Sequence, residues 1–280
     1  MSDEKPDRRP APDDHPPPKA EEAVGGGQPL DNLVMAIRFY SRLPTGERRH
    51  LRPDLTRMTT ALPLASLVIG IVPVLVLLLA AMAGLPRLFV AGLAVAAAVL
   101  VTGAMAEDAL ADAADGLFGG DSRERRLEIM KDSRHGTYGV TALCLFLLLR
   151  VAAIATMAGA DPLAAAGVWL SAMLMARSGA IWLTVVLPPA RLTGASAAAG
   201  RVSPNVFGMG AVFALILGLV LGAPGTGLPG FIMAVALMAA VTAGWAELCR
   251  RRVGGQTGDL IGALQALLEL AALTGYLVTV

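Results

Sequence analysis

Beyond Arg57 the chain carries seven apolar stretches: Leu62–Ala83, Leu88–Ala106, Gly139–Gly159, Pro162–Pro188, Val206–Gly222, Phe231–Leu248 and Leu260–Val280. Each is close to the ~20 residues an α-helix needs to cross hydrocarbon, where every backbone polar group has to find a partner inside the protein. The last is the weakest assignment, because it contains Gln265 and Glu269. Only 16% of the 280 residues are charged, whereas soluble domains carry about a quarter. The pattern predicts an all-α, polytopic membrane helix bundle of about seven spans. It excludes a disordered protein, a disulfide scaffold and an ordinary cytosolic enzyme. Cys144 and Cys249 have no zinc-type spacing and read as buried, inert thiols. A net charge of +1 gives no bulk attraction to nucleic acid.

The basic residues set the orientation. Of the 23 lysines and arginines, 20 fall in residues 1–60 and in the 107–137, 189–204 and 248–258 loops. These regions alternate along the chain, so the positive-inside rule places all of them in the cytoplasm. Arg150 and Arg177 fall inside spans; for Arg177, mid-span, a functional charge and a structural ion pair both remain open. Residues 1–29 hold seven prolines and eleven charged residues, and read as a disordered cytoplasmic tail without the apolar core of a signal peptide. Residues 30–280 form the membrane-embedded domain. At its start Leu30, Leu33, Val34, Ile37 and Tyr40 fall at helical intervals, with Asp31 as a cap. That helix either lies on the membrane surface or docks on the protein.

Polar chemistry concentrates in the 107–137 loop. Asp108, Asp112 and Asp115 are spaced i, i+4, i+7 and so lie within about 60° of one another on a helix face. Like charges so placed repel, and a divalent cation is the economical counter-charge. Carboxylate oxygens without cysteine favour Mg²⁺ or Mn²⁺ over zinc. Glu124, Glu128 and Asp132 form a second acidic row after Gly119-Gly120, and a chain reversal there would set two acidic helices face to face. Arg123, Arg125, Arg126, Lys131 and Arg134 are placed to hold phosphates, with His135 adjoining. The alternative is a solvated loop whose acids and bases pair locally. Arg250-Arg251-Arg252 and the following Gly254-Gly255-Gln256-Thr257-Gly258-Asp259 read either as an anion site or as a charge cluster fixing orientation. Gly218 and Gly222 have the spacing of a helix-contact motif, read either as a seam of a homo-oligomer or as a match of the kind common by chance.

Several blocks together resemble the cobalamin (cobamide) synthase, or adenosylcobinamide-GDP ribazoletransferase, family. They are Phe39-Tyr40-Ser41-Arg42-Leu43-Pro44, the Pro63–Gly70 segment, the Asp108–Gly119 aspartate block, the Arg123–Arg134 block and the Gly254–Asp259 loop. The chain departs from the family pattern at Ala106, where a histidine is usual, at Ala109, usually glycine, and at His135, usually apolar. The resemblance implies a Mg²⁺-dependent membrane enzyme of the bacterial inner membrane with its active site facing the cytoplasm. In it, a ribose hydroxyl of α-ribazole, or of its 5′-phosphate, attacks adenosylcobinamide-GDP and GMP leaves. It further implies metal ligation by Asp108, Asp112 and Asp115, with Glu107 and Glu128 as further candidates. Asp132 would be a ligand or base, and Asp112, Lys131 and Arg134 would join it in catalysis. Arg125, Arg126, Arg250 and Asp259 would bind substrate. A CDP-alcohol phosphotransferase fits less well, since Ala109 and Ala111-Asp112 break its motif. A secondary transporter would carry its acids near mid-membrane.

One expectation tests the topology. A cysteine at Ser122, with Cys144 and Cys249 replaced, resists impermeant thiol reagents in intact cells; labelling from outside overturns the orientation.

Overall fold

A computed structural model describes residues 29–46, 53–132, 134–191 and 201–279. Most of the tail therefore lies outside the described residues, as do Ser133 and residues 192–200. The described chain is built of helices: α1 Pro29–Tyr40, α2 Leu55–Thr59, α3 Leu62–Met82, α4 Arg87–Thr102, α5 Met105–Gly119 and α6 Arg123–Ile129. Then follow α7 Thr137–Ala160, α8 Pro162–Ala180, α9 Trp182–Val186, α10 Pro204–Arg252 and α11 Gly258–Leu277. Local signals begin several of them. Asp161 accepts from Leu163 N and Ala164 N ahead of Pro162 to start α8, and Thr257 accepts from Leu260 N to start α11.

By length and composition, five of these helices can cross a membrane, and six can if the bent pair α4–α5 counts as one crossing. The 49-residue α10 is folded back on itself; straight, it would extend about 74 Å. The reversal lies at Gly227, whose φ of 71° suits glycine, between Pro224 and Pro229. Phe207 and Ala211 on one arm line the same cavity as Met238 and Thr242 on the other. The stretches expected at Val206–Gly222 and Phe231–Leu248 are these two arms.

The chain runs between two ends of the bundle. At one end, Ala190 N donates to Gln256 O at 2.9 Å and Gln256 N to Pro188 O at 2.8 Å. Arg126 reaches Arg252 O at 3.1 Å, and Arg123 reaches Ala190 O at 3.3 Å. Three loops that the charge distribution assigned to one side therefore meet there. Between the ends, small residues let helices close. Gly218 and Gly222 pack against Met175, Ser171 and Tyr276 of the same chain, so this motif serves an internal contact. Ser171 Oγ donates to Gly218 O at 2.8 Å and lies 2.7 Å from the Tyr276 hydroxyl.

Three expectations are corrected, and one alternative left open by the sequence is settled. The stretch Leu88–Ala106 is not one straight helix: α4 stops at Thr102, and α5 leaves at 86° through left-handed Gly103 and Ala104. Arg42 packs over this corner, its N–H donating to Val101 O at 2.7 Å. α1 docks, because Met35, Ala36, Ile37 and Tyr40 are buried in a cluster with Leu62, Ala65 and Ile69. Full burial of such side chains contributes about 1.5–3 kcal/mol each, enough to hold a 12-residue helix in place. The second acidic row does not face the first: α6 ends at Ile129, none of its residues is buried, and Asp132 lies beyond it. Cys144 is exposed, and only Cys249 is buried.

The contact of α5 with α11 rests on Gly262, where an added Cβ would sit 2.5 Å from Ala109 Cβ. Both groups are fixed to helix backbones, so neither can rotate away. Gly262→Val is expected to destabilise the protein in detergent by about 1–3 kcal/mol. A wild-type unfolding midpoint would contradict this packing.

Candidate active site

α5 enters the bundle with a buried glutamate. Glu107 Oε1 accepts from Arg150 Nη1 at 2.9 Å, and Arg150 also binds Glu269 through Nε at 2.8 Å and Nη2 at 3.2 Å. Trp169 Nε1 donates to the same Glu269 oxygen at 2.8 Å. α5, α7, α8 and α11 thus meet at one guanidinium. Neighbouring Arg177 is buried with its guanidinium 5.3 Å from the Tyr40 ring centre. Its Nε and Nη1, and Glu107 Oε2, have no hydrogen-bond partner among the described residues. Arg177 and Glu107 border a chamber of about 20 Å³, room for one water.

The three aspartates of α5 separate in role. Asp115 is buried and accepts from Gly136 N at 2.6 Å and Gly139 N at 2.8 Å. The N-cap of α7 is Gly136, which has no side chain, so a carboxylate from α5 supplies the missing acceptor and favours the positive end of the α7 dipole. Asp108 faces Asp259, the first acid of α11, across a cavity of about 330 Å³ also lined by Phe39, Tyr40, Met105 and Gln265. Asp112 stands close to this pair. Partial burial, then the negative charges of Asp108 and Asp259, push its carboxyl up to about 6, while His135 pulls the other way. His135 Nδ1 is 3.9 Å from Asp112 Oδ1.

Among the described residues, no three His, Cys, Asp or Glu side chains gather tightly enough to hold an ion alone. Mg²⁺ does not require such a cage: it binds through one or two carboxylates, substrate phosphates and water. Two carboxylates lining one cavity, with a third beside them raised by partial burial and by their charge, fit an ion that arrives with a phosphate.

The basic residues border a different surface. Arg125, Lys131 and Arg134, with Glu128 and Asp132, line an open groove of about 320 Å³ that shares no lining residue with the cavity. Asp132 is ion-paired with Arg134 at 2.6 Å, and these hydrogen bonds hold its carboxyl down to about 2. Glu128 is exposed and pairs with Arg125 at 2.7 Å. Arg126 reaches Arg252 O and Asp121 O through its terminal nitrogens while its buried Nε has no hydrogen-bond partner among the described residues, and Arg250 is paired with Glu247. In the glycine loop, Gly254 N and Gln256 N already bond to backbone carbonyls, so these donors are not free for an anion. The structure therefore brings Asp108, Asp112 and Asp259 together. It places Lys131, Asp132, Arg134, Arg125 and Glu128 on a neighbouring groove, and commits Glu107, Asp115, Arg126 and Arg250 to other contacts.

Sequence reasoning missed Arg150, Glu269 and Trp169 as a unit. The signal was present: Arg150 and Glu269 are lone charges in apolar stretches, where each is costly unless paired. Phe39, Tyr40, Met105 and Gln265 carried no such signal as cavity walls.

The family model described as CobS, cobalamin-5-phosphate synthase, matches residues 32–277. An adenosylcobinamide-GDP ribazoletransferase of Azorhizobium caulinodans is 44% identical over 253 residues, covering 89% of this chain and 96% of the relative. Proteins of the same name from Xanthobacter autotrophicus and a Sinorhizobium species are 44% and 39% identical, covering 88% and 91% of this chain and 96% and 98% of their own. No solved structure matches this chain.

The raised carboxyl gives a pH-dependent prediction. Folded Asp112 holds its proton up to about pH 6, whereas the ordinary value is 3.8. The stability this contributes is complete below the ordinary value and is lost as pH rises through the folded one. In chelator-treated protein, Asp112→Asn is therefore expected to raise the unfolding midpoint above pH 6 and to leave it unchanged near pH 4. A midpoint shift equal at both pH values contradicts the assignment.

Proposed function

We infer the function from one premise: the chain belongs to the CobS, cobalamin-5-phosphate synthase, family. It joins α-ribazole, or α-ribazole 5′-phosphate, to adenosylcobinamide-GDP. A ribose hydroxyl oxygen forms a bond to the cobinamide-side phosphorus, the diphosphate P–O bond breaks, and GMP leaves with the bond's electron pair. The products are adenosylcobalamin, or its 5′-phosphate, and GMP. The CDP-alcohol and transport readings have no support among the relatives, all of which carry the ribazoletransferase name in the matches described above.

The observation that carries the chemistry is the meeting of Asp108 and Asp259 across one cavity, with Asp112 beside them. Phosphoryl transfer asks a protein mainly to position groups and to neutralise charge. Asp108, Asp112 and Asp259 would hold a divalent cation, Mg²⁺, which when bound neutralises the diphosphate. Lys131, Arg134 and Arg125 hold the nucleotide phosphates and stabilise the leaving GMP. Asp132, held near 2 by Arg134, is a poor proton acceptor; its part is to fix the Arg134 guanidinium. Asp115 and Glu107 act one step back, holding α5 against α7. The reading also sets the end of the bundle where the loops meet on the cytoplasmic side of the inner membrane, with about seven spans when the arms of α10 and the short α4 count separately.

Purified protein in detergent is expected to release GMP from adenosylcobinamide-GDP only when α-ribazole or its 5′-phosphate is added. Asp108→Asn should fold normally and lower kcat by about 10²-fold or more. Chelation should silence the wild type. Release of GMP without an acceptor, or undiminished turnover in Asp108→Asn, would refute the assignment.

A further inference from the structure

We propose that the small chamber between Arg177 and Glu107 binds one ordered water, and that through it Arg177 acts as a positioning residue for the cavity between α5 and α11. The water follows from the chamber alone; its effect on turnover rests on the transfer reading above. The atoms around the chamber ask for a small polar occupant. Arg177 is 3% exposed, and its Nε and Nη1 have no hydrogen-bond partner among the described residues. Glu107 is half satisfied: Oε1 accepts from Arg150, and the buried Oε2 has no partner among the described residues. Buried polar atoms in native proteins are nearly always paired, with protein or with ordered water.

Size and charge select the occupant. The chamber measures about 20 Å³, more than the ~10–15 Å³ that one water requires and too little for a larger ligand. Arg150, Arg177, Glu107 and Glu269 all border it, so the formal charges around it cancel. A cation would meet two guanidinium groups, and an anion two carboxylates. A water offers each kind the atom it needs: its oxygen accepts from Arg177, and one proton goes to Glu107 Oε2. Thr102 lies on the same wall and donates its own hydroxyl to Ala98 O at 2.9 Å, so its lone pairs remain for the second proton. A direct Arg177–Glu107 pair is not what the structure forms. Arg150 holds Glu107 by its other oxygen, and the Arg177 guanidinium stands over the Tyr40 ring, 5.3 Å from its centre.

The link matters because both of its ends carry part of the cavity. Glu107 immediately precedes Asp108, and the Tyr40 ring that Arg177 faces is cavity wall. Ala106 and Gln265 line chamber and cavity alike, so the two spaces lie back to back. Arg177 is not on the cavity wall and so does not touch a ligand there. It sets where Tyr40 and the start of α5 stand. The water thus ties α8 to α5, beside the Arg150 link from α7. A mid-span guanidinium is costly unless satisfied, and here solvent supplies what no carboxylate does.

The first test is a high-resolution structure of the full wild-type chain in lipid nanodiscs. One solvent peak within hydrogen-bond distance of both Arg177 and Glu107 Oε2 is expected. An empty chamber, or one closed by a direct Arg177–Glu107 contact, overturns the site. The second test is steady-state release of GMP from adenosylcobinamide-GDP and α-ribazole. Arg177→Met removes the donors and is expected to lower kcat by about tenfold or more, with KM for both substrates within about threefold of wild type. Arg177→Lys keeps the charge and a donor for the water, and should return kcat to within about threefold of wild type. Undiminished kcat in Arg177→Met removes the positioning role. So does an Arg177→Lys protein that unfolds at the wild-type midpoint yet loses about tenfold or more in kcat. The solvent peak is read in the wild type, so it decides the site whether or not a variant folds. The two ideas fail separately. A wild type that holds the water but never releases GMP removes the transfer reading alone, and one that turns over with an empty chamber removes the water alone.

Discussion

Arg150 is the interaction on which the arrangement depends. A guanidinium inside an apolar bundle is unfavourable by several kcal/mol unless its donors are matched. Here Glu107 and Glu269 match it from two other helices, with Trp169 completing the second carboxylate from a third. Removing one member of such a set typically costs about 3–5 kcal/mol, because the remaining charge is stranded. Glu107 immediately precedes Asp108, and Glu269 lies on the same helix as Asp259. The pair of walls that carry the site carboxylates is therefore tied together behind the site, by groups that need not touch a substrate.

The same economy recurs at Asp115. One carboxylate of the acidic helix closes the exposed N–H groups of α7, which its own N-cap glycine cannot reach. α5 is thereby fixed at both ends of its acidic face, and Asp108 and Asp112, which lie between the anchors, are held near Asp259 despite their mutual repulsion. Partial burial, and after it this repulsion, raises the Asp112 carboxyl.

The bundle, its helices and the gathering of basic loops at one end were legible, because apolar period and charge asymmetry act locally. The roles of individual carboxylates were less so. Spacing places Asp108, Asp112 and Asp115 on one face, but which of them meets a helix end depends on a glycine 21 residues further along. Glu107 was read with the site, yet its partner Arg150 lies 43 residues away in another helix. The second acidic row failed for a local reason: α6 is only seven residues long, so its period never carried to Asp132. Asp259 was read as part of a loop for anions and not as a carboxylate beside Asp108, and the structure gives that placement a physical reason, the Gly262–Ala109 contact that draws α11 onto α5.

The reversal in α10 bears on how the protein reaches its membrane. From Pro204 to Ala246 there is no charged residue, and the turn itself reads Pro224-Gly225-Thr226-Gly227-Leu228-Pro229. Carrying that turn through a bilayer moves no net charge and leaves few polar groups to strip of water. The two arms can therefore enter together as a closed helical hairpin, without a separate start and stop signal for each. The first run of charge after the two arms is Glu247 with the three arginines Arg250–Arg252, a group far more costly to carry across than the turn.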